Sequence, residues 1–179
     1  MNRQKPIWWA IFGAFVILSA AHIVYAKENT MLEPGQKAPE FSLRDSQNTL
    51  RSLQDFSGSP TVVYFYPKDD TPGCTKEACS FRDSYHQFQE RNINVIGISY
   101  DSPESHADFK KKYNLPFTLL SDSDKEVAKQ YGASRGLLDL MGAKRITYLL
   151  DETGTVLTVY PNVTPADHAG DILDYFENR

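Results

Sequence analysis

Thr61-Val62-Val63-Tyr64-Phe65-Tyr66-Pro67-Lys68-Asp69-Asp70-Thr71-Pro72-Gly73-Cys74 decides the fold. Thr61 to Tyr66 is β-branched and aromatic without a charge, the composition of a strand buried on both faces. Pro67 ends it, and Pro72-Gly73 marks a turn. From Thr75 to about Glu90 the apolar residues Ala78, Phe81, Tyr85 and Phe88 recur at steps of three and four, which predicts an amphipathic helix. Cys74 therefore stands where a central strand hands over to the first turn of a helix. Unpaired N–H groups and the positive end of the helix dipole favour thiolate over thiol there. Cys79, five residues on, is the other cysteine of the chain. Taken alone, the pair also fits two small core residues or a structural disulfide.

The segment Tyr64-Phe65-Tyr66-Pro67-Lys68-Asp69-Asp70-Thr71-Pro72-Gly73-Cys74-Thr75-Lys76-Glu77-Ala78-Cys79 resembles the active-site segment of the peroxiredoxin Q group, the bacterioferritin comigratory proteins. The family pattern Pro-x-x-x-Thr-x-x-Cys falls on Pro67, Thr71 and Cys74, and the resemblance extends from about Met31 to the C-terminus. It implies a thioredoxin-like α/β fold and a thiol peroxidase acting on hydrogen peroxide and organic hydroperoxides. Cys74 is then the peroxidatic cysteine. Thr71 and the N–H groups of Gly73 and Cys74 contact the peroxide, and Pro67 shields the thiolate. Arg145 opens Arg145-Ile146-Thr147-Tyr148-Leu149-Leu150-Asp151, which resembles the family's Arg-x-Thr-Phe-Leu-Ile-Asp, and so takes the part of the catalytic arginine. By itself it reads as a solvated strand-end arginine, and Lys144 is the alternative cation.

The resemblance further implies a sulfenic acid on Cys74 that condenses with Cys79 to an intramolecular disulfide, recycled by a thioredoxin-like dithiol reductant. On an intact helix, Cα atoms five residues apart are about 8.6 Å from each other and about 140° round the axis. A disulfide needs roughly 7 Å or less. The two sulfurs can join only if the first turn unwinds.

Other chemistries find little support. A thiol–disulfide oxidoreductase would carry Cys-x-x-Cys, which is absent. A metal-binding module would need a third and fourth ligand near Cys74 and Cys79, and His22, His86, His106 and His168 are scattered as surface or core histidines. No cofactor or metal is expected. The chain is acidic overall, with 19 basic and 23 acidic residues. Arg3 and Lys5 precede residue 26, leaving 17 basic against 23 acidic residues downstream, a balance that argues against a nucleic-acid partner. A monomer is expected.

Residues 1–26 are of another kind. After Arg3 and Lys5, Ile7 to Ala26 is apolar apart from Ser19 and His22. This is either a signal peptide ending at Val24-Tyr25-Ala26 or a retained membrane anchor, since about 20 apolar residues span a bilayer. Basic residues stay cytoplasmic, so the domain is expected outside the cytoplasm, in a periplasm or on the outer face of the membrane. The expected organisation is a targeting segment 1–26, a polar linker 27–37 and a thioredoxin-like domain 38–179.

Within that domain the remaining elements are legible. Short strands are expected at 38–43 and 49–53 around a turn at Ser46-Gln47-Asn48. A buried strand follows at Asn94–Ser99, and a helix opens at Ser102-Pro103-Glu104. A strand at 117–120 leads to a helix from Asp122 to Tyr131, stopped by Gly132. Ser134 to Lys144 reads as a loop with an exposed Leu137-Leu138-Asp139-Leu140-Met141. A hairpin turns at Glu152-Thr153-Gly154, and a last helix starts at Thr164-Pro165.

Overall fold

The computed structural model describes residues 29–178, and the apolar run 7–26 lies outside them. Seven strands form one sheet: β1 (Ser42–Asp45), β2 (Leu50–Ser52), β3 (Thr61–Phe65), β4 (Asn94–Ser99), β5 (Thr118–Ser121), β6 (Ile146–Leu150) and β7 (Val156–Tyr160), in the spatial order β2-β1-β5-β4-β3-β6-β7. The uncharged run read as a central strand is β3. It pairs in parallel with β4, Val63 opposite Ile96, and antiparallel with β6, Phe65 opposite Ile146.

Alternation along β3 divides the core. Val63 and Phe65 face one side with Ile96, Ile98, Tyr131 and Tyr148. Val62, Tyr64 and Tyr66 face the other with Cys74, Phe81, Phe109 and Ile172. The second face carries α1 (Pro72–Asp83), α2 (Tyr85–Glu90), α3 (Pro103–Tyr113) and α5 (His168–Glu177), and the first carries α4 (Glu126–Gln130). Two covered faces of one sheet make the three-layer, thioredoxin-like arrangement.

Several boundaries differ from the sequence reading. The helix expected to run to Glu90 breaks at Ser84, which leaves helical geometry at φ −98° and ψ 1°. Residues at three- and four-residue steps stay on one side across such a break, so the stripe does not register it: Ala78, Phe81 and Phe88 are buried, and Tyr85 is half-buried. The helix expected from Asp122 begins at Glu126, because Asp122 turns inward and its carboxylate accepts from the N–H groups of Val127 (3.1 Å) and Ala128 (2.7 Å). Burial pushes the Asp122 carboxyl up to about 7, against the pull of those two N–H groups. The last helix starts at His168, since Thr164 to Asp167 form a separate turn closed by Asp167 N–H on the Thr164 carbonyl. Asn48 holds the first hairpin turn in a left-handed conformation at φ +60°.

The described part of the stretch expected to be a polar linker packs along the domain. Asn29 N–H donates to the Lys129 carbonyl, Gly35 N–H donates to the Val156 carbonyl, and the Gln36 carbonyl accepts from Val156 N–H. Among the described residues no helix is long and apolar enough to cross a membrane.

Candidate active site

The carboxyl end of β3 and the start of β6 lie side by side because Phe65 pairs with Ile146. That register brings two residues together that are 71 positions apart. Arg145 Nη2 donates to Cys74 Sγ at 3.3 Å. Cys74 is 2% exposed in the first turn of α1, and Arg145 is half-buried. Arg145, which by itself reads as a solvated strand-end arginine, is turned onto the sulfur. Lys144 points elsewhere: its Nζ donates to the Gly132 carbonyl at 3.0 Å.

Helix α1 opens with Pro72 at its first position, so one of the unpaired N–H groups of the terminus is absent from the start. Thr75 N–H bonds the Thr71 carbonyl at 2.8 Å. The N–H groups of Gly73 and Cys74 remain, and among the described residues neither has a backbone partner. Gly73 lies under the guanidinium, where a Cβ would stand 3.5 Å from Arg145 Nη2. Thr71 occupies the N-cap position with extended backbone, yet its hydroxyl does not cap the helix. It donates to the Lys68 carbonyl at 3.0 Å, which leaves the oxygen lone pairs as acceptors.

The loop between Pro67 and Thr71 is fastened on both sides. Asp69 is buried and accepts from the Tyr66 hydroxyl (2.6 Å), from the Ser105 hydroxyl (2.8 Å) and from His106 Nδ1 (2.8 Å), the last two on α3. Its own N–H donates to Asp101. Asp70, at φ +55°, accepts from Lys112 Nζ and the Tyr113 hydroxyl on α3. On the other flank Gly142, at φ +80°, lies on the Pro67 backbone, and a Cβ there would meet the Pro67 carbonyl oxygen at 2.0 Å. Only glycine fits that close approach.

Sequence reasoning did not single out Glu77. It is fully buried, ion-paired to Arg145 Nη1 through Oε2, with Oε1 unpartnered. It lies three residues after Cys74, on the same helical face, and that spacing was the available signal. Burial pushes the Glu77 carboxyl up to about 7, outweighing the attraction of Arg145. Burial also opposes the charge on Arg145, but Glu77 and the Cys74 sulfur outweigh it and hold the guanidinium above its ordinary value.

A carboxyl raised in the folded state binds its proton more tightly there than in the unfolded chain. Its stabilising share is complete below the unfolded value of 4.5 and is lost as pH rises through about 7. Denaturant unfolding of the reduced protein should therefore show wild type losing on the order of 1–3 kcal/mol relative to Glu77→Gln between pH 4.5 and pH 8. Parallel pH profiles for the two proteins would remove Glu77 as the titrating group.

Of the histidines within the described residues, His106 and His168 are core residues and His86 is exposed. His168 donates or accepts at Thr147 Oγ1 (2.8 Å), and burial, helped by the Arg145 charge, lowers its pKa to about 4. Cys79 is half-buried on α1 and carries a free thiol, as does Cys74.

A family model described as the AhpC/TSA family matches residues 34–159. A Coxiella burnetii protein named "Putative peroxiredoxin bcp" is 47% identical over 146 residues, covering 79% of this chain and 97% of that one. The chloroplastic peroxiredoxin Q of Populus jackii is 44% identical over 161 residues, 89% of this chain and 73% of the relative. Among solved structures, peroxidoxin BcpB from Mycobacterium tuberculosis superposes with a TM-score of 0.78 at 38% identity, covering 83% of this chain and 98% of that one.

Proposed function

The chain belongs to the AhpC/TSA family, in its peroxiredoxin Q and bcp group, and is a peroxidase oxidoreductase; from that premise we propose that it reduces hydrogen peroxide and organic hydroperoxides through Cys74, with Cys79 as the resolving thiol. The observation that carries this reading is the 3.3 Å contact of Arg145 Nη2 with Cys74 Sγ at a helix start with two free N–H groups. A fixed cation and two unspent donors are what a thiolate and a departing oxygen anion need at the same place.

In the first step the Cys74 thiolate attacks one peroxide oxygen. An S–O bond forms, the O–O bond breaks, and the other oxygen leaves as hydroxide or alkoxide, taking a proton to become water or alcohol. Arg145 and the Gly73 and Cys74 N–H groups stabilise the thiolate and the leaving oxygen. Thr71, its proton engaged by Lys68, accepts from the O–H of the peroxide and aligns it. Pro67, held by Gly142, keeps water from the sulfur. In the second step the Cys79 thiolate attacks the Cys74 sulfur, a disulfide forms and hydroxide leaves as water. Both cysteines lie on α1, so this step requires the helix start to unwind. An external thioredoxin-like dithiol then reduces the disulfide by exchange.

Peroxide consumption measured with and without a dithiol reductant tests this function, and consumption independent of the dithiol contradicts it. Cys79→Ser should keep the first oxidation at its wild-type rate and then stall, with Cys74 passing to the sulfinic acid at excess peroxide. Normal cycling of that variant with the same dithiol would place resolution elsewhere. The basic start and apolar run of residues 1–26 support export of the domain, by a signal peptide or by an anchor in the membrane. The reductant then belongs to the far side of that membrane.

A further inference from the structure

Large apolar side chains are exposed at few places among the described residues, and most are in one turn. Leu137 is 101% exposed, Leu140 97%, Met141 65% and Leu138 60%. They sit on a 3₁₀ turn, Gly136–Met141. The turn is built to hold them out. Its one charged residue, Asp139, points inward and accepts from the Ser134 hydroxyl (3.0 Å), the Arg135 N–H (2.7 Å) and the Tyr100 hydroxyl (3.1 Å). Gly136 and Gly142, both at positive φ, bound it. Water solvates the leucines while the acid is spent on the scaffold, the reverse of an ordinary surface turn.

In the sequence the apolar run ends at Ala26, shortly before Asn29, the first described residue. Two residues, Lys27 and Glu28, separate Ala26 from Asn29, three Cα–Cα steps that reach at most about 11 Å. Asn29 is fixed to the Lys129 carbonyl, and the backbone of Thr30 and Met31 fills the place where Gly132 would carry a Cβ. Leu137 follows Gly132 by five residues, at most about 18 Å. At its other end the turn passes into Gly142, seated on Pro67, and then into Arg145. Asn29, the leucine turn and the Cys74 site thus share one end of the domain.

We infer that Leu137, Leu138, Leu140 and Met141 insert into the surface of the bilayer that holds residues 7–26, seating the Cys74 end of the domain against the membrane. This rests on the reading of residues 7–26 as a retained membrane segment. A second copy is a poorer occupant, because a stable protein interface uses about 20–30 residues a side and this turn offers four apolar ones. Interfacial apolar groups bury about 5–10 Å into the headgroup and acyl boundary, a depth such side chains reach.

The test uses the full chain with Cys74→Ser and Cys79→Ser, carrying one environment-sensitive fluorophore on either Leu140→Cys or Glu152→Cys, in phosphatidylcholine vesicles. Leu140 is almost fully exposed, so the label displaces no packing. Glu152 is exposed in the β6–β7 turn at the opposite end of the sheet, beyond the Leu150–Thr61 pair. The expected result is flotation of both proteins with vesicles, a several-fold brightening of the label at 140 quenched by nitroxide lipid, and a label at 152 that stays as in water. Flotation with both labels in water overturns the docking turn and leaves the anchor standing. Failure to float overturns both. Brightening at 140 that grows with protein density and resists nitroxide lipid assigns the turn to a second copy and overturns the inference.

Discussion

Cys74→Ser should abolish dithiol-dependent peroxide consumption, leaving only the slow reaction of the reductant itself. A serine hydroxyl is not ionised near neutral pH, so neither Arg145 nor the helix start can turn it into a nucleophile. The substitution changes one atom at a buried position in contact with Arg145, and a thermal melt close to that of the reduced wild type verifies the fold. Turnover retained in a folded Cys74→Ser protein would move the nucleophile to another residue.

Arg145→Ala should slow the first oxidation of Cys74 by about 10²–10³-fold, the loss of about 2.7–4 kcal/mol that follows removal of one preorganised donor from a developing anion. Two effects of the change have to be separated, because the same guanidinium neutralises buried Glu77. An unpaired buried carboxylate is costly whatever the chemistry does. In Arg145→Ala/Glu77→Gln the carboxylate is gone, so stability should recover while the oxidation rate stays low. Arg145→Lys should recover only part of the rate, since an ammonium supplies charge without the planar fork that reaches Glu77 and Cys74 together. Stopped-flow oxidation at pH 7 reads all of these. A wild-type rate in Arg145→Ala would transfer the cationic part to another group.

What was legible in the chain was local. Pro72 and Gly73 after an uncharged β run place Cys74 at a helix start because turn chemistry and helix caps act over four or five residues. The apolar stripe across α1 and α2, the Pro103 helix start and the Gly154 hairpin turn are short-range in the same way. Helix ends were less legible where a buried side chain overrides propensity, as Asp122 does for α4. The site itself is long-range. The Arg145–Cys74 contact comes from the antiparallel register of β3 and β6, which no local pattern encodes, and only the resemblance of Arg145-Ile146-Thr147 pointed to it. The Asp69–His106 pair joins residues 37 apart through the packing of α3 beside the loop, so His106 looked like any other scattered histidine. Glu77 was within reach of helical spacing, but its burial became visible only once Arg145 was in place above it.

In the proposed cycle Cys74 takes the peroxide oxygen and Cys79 then captures its sulfur by unwinding the start of α1. The direct measurement is the intact mass and peptide map of the reduced chain after one equivalent of hydrogen peroxide, with free thiols alkylated in acid. The expected result is loss of two hydrogens, no retained oxygen, and peptides joined through Cys74 and Cys79. A chain that keeps added oxygen on Cys74 while Cys79 remains alkylatable, or one that leaves both thiols untouched, would contradict it.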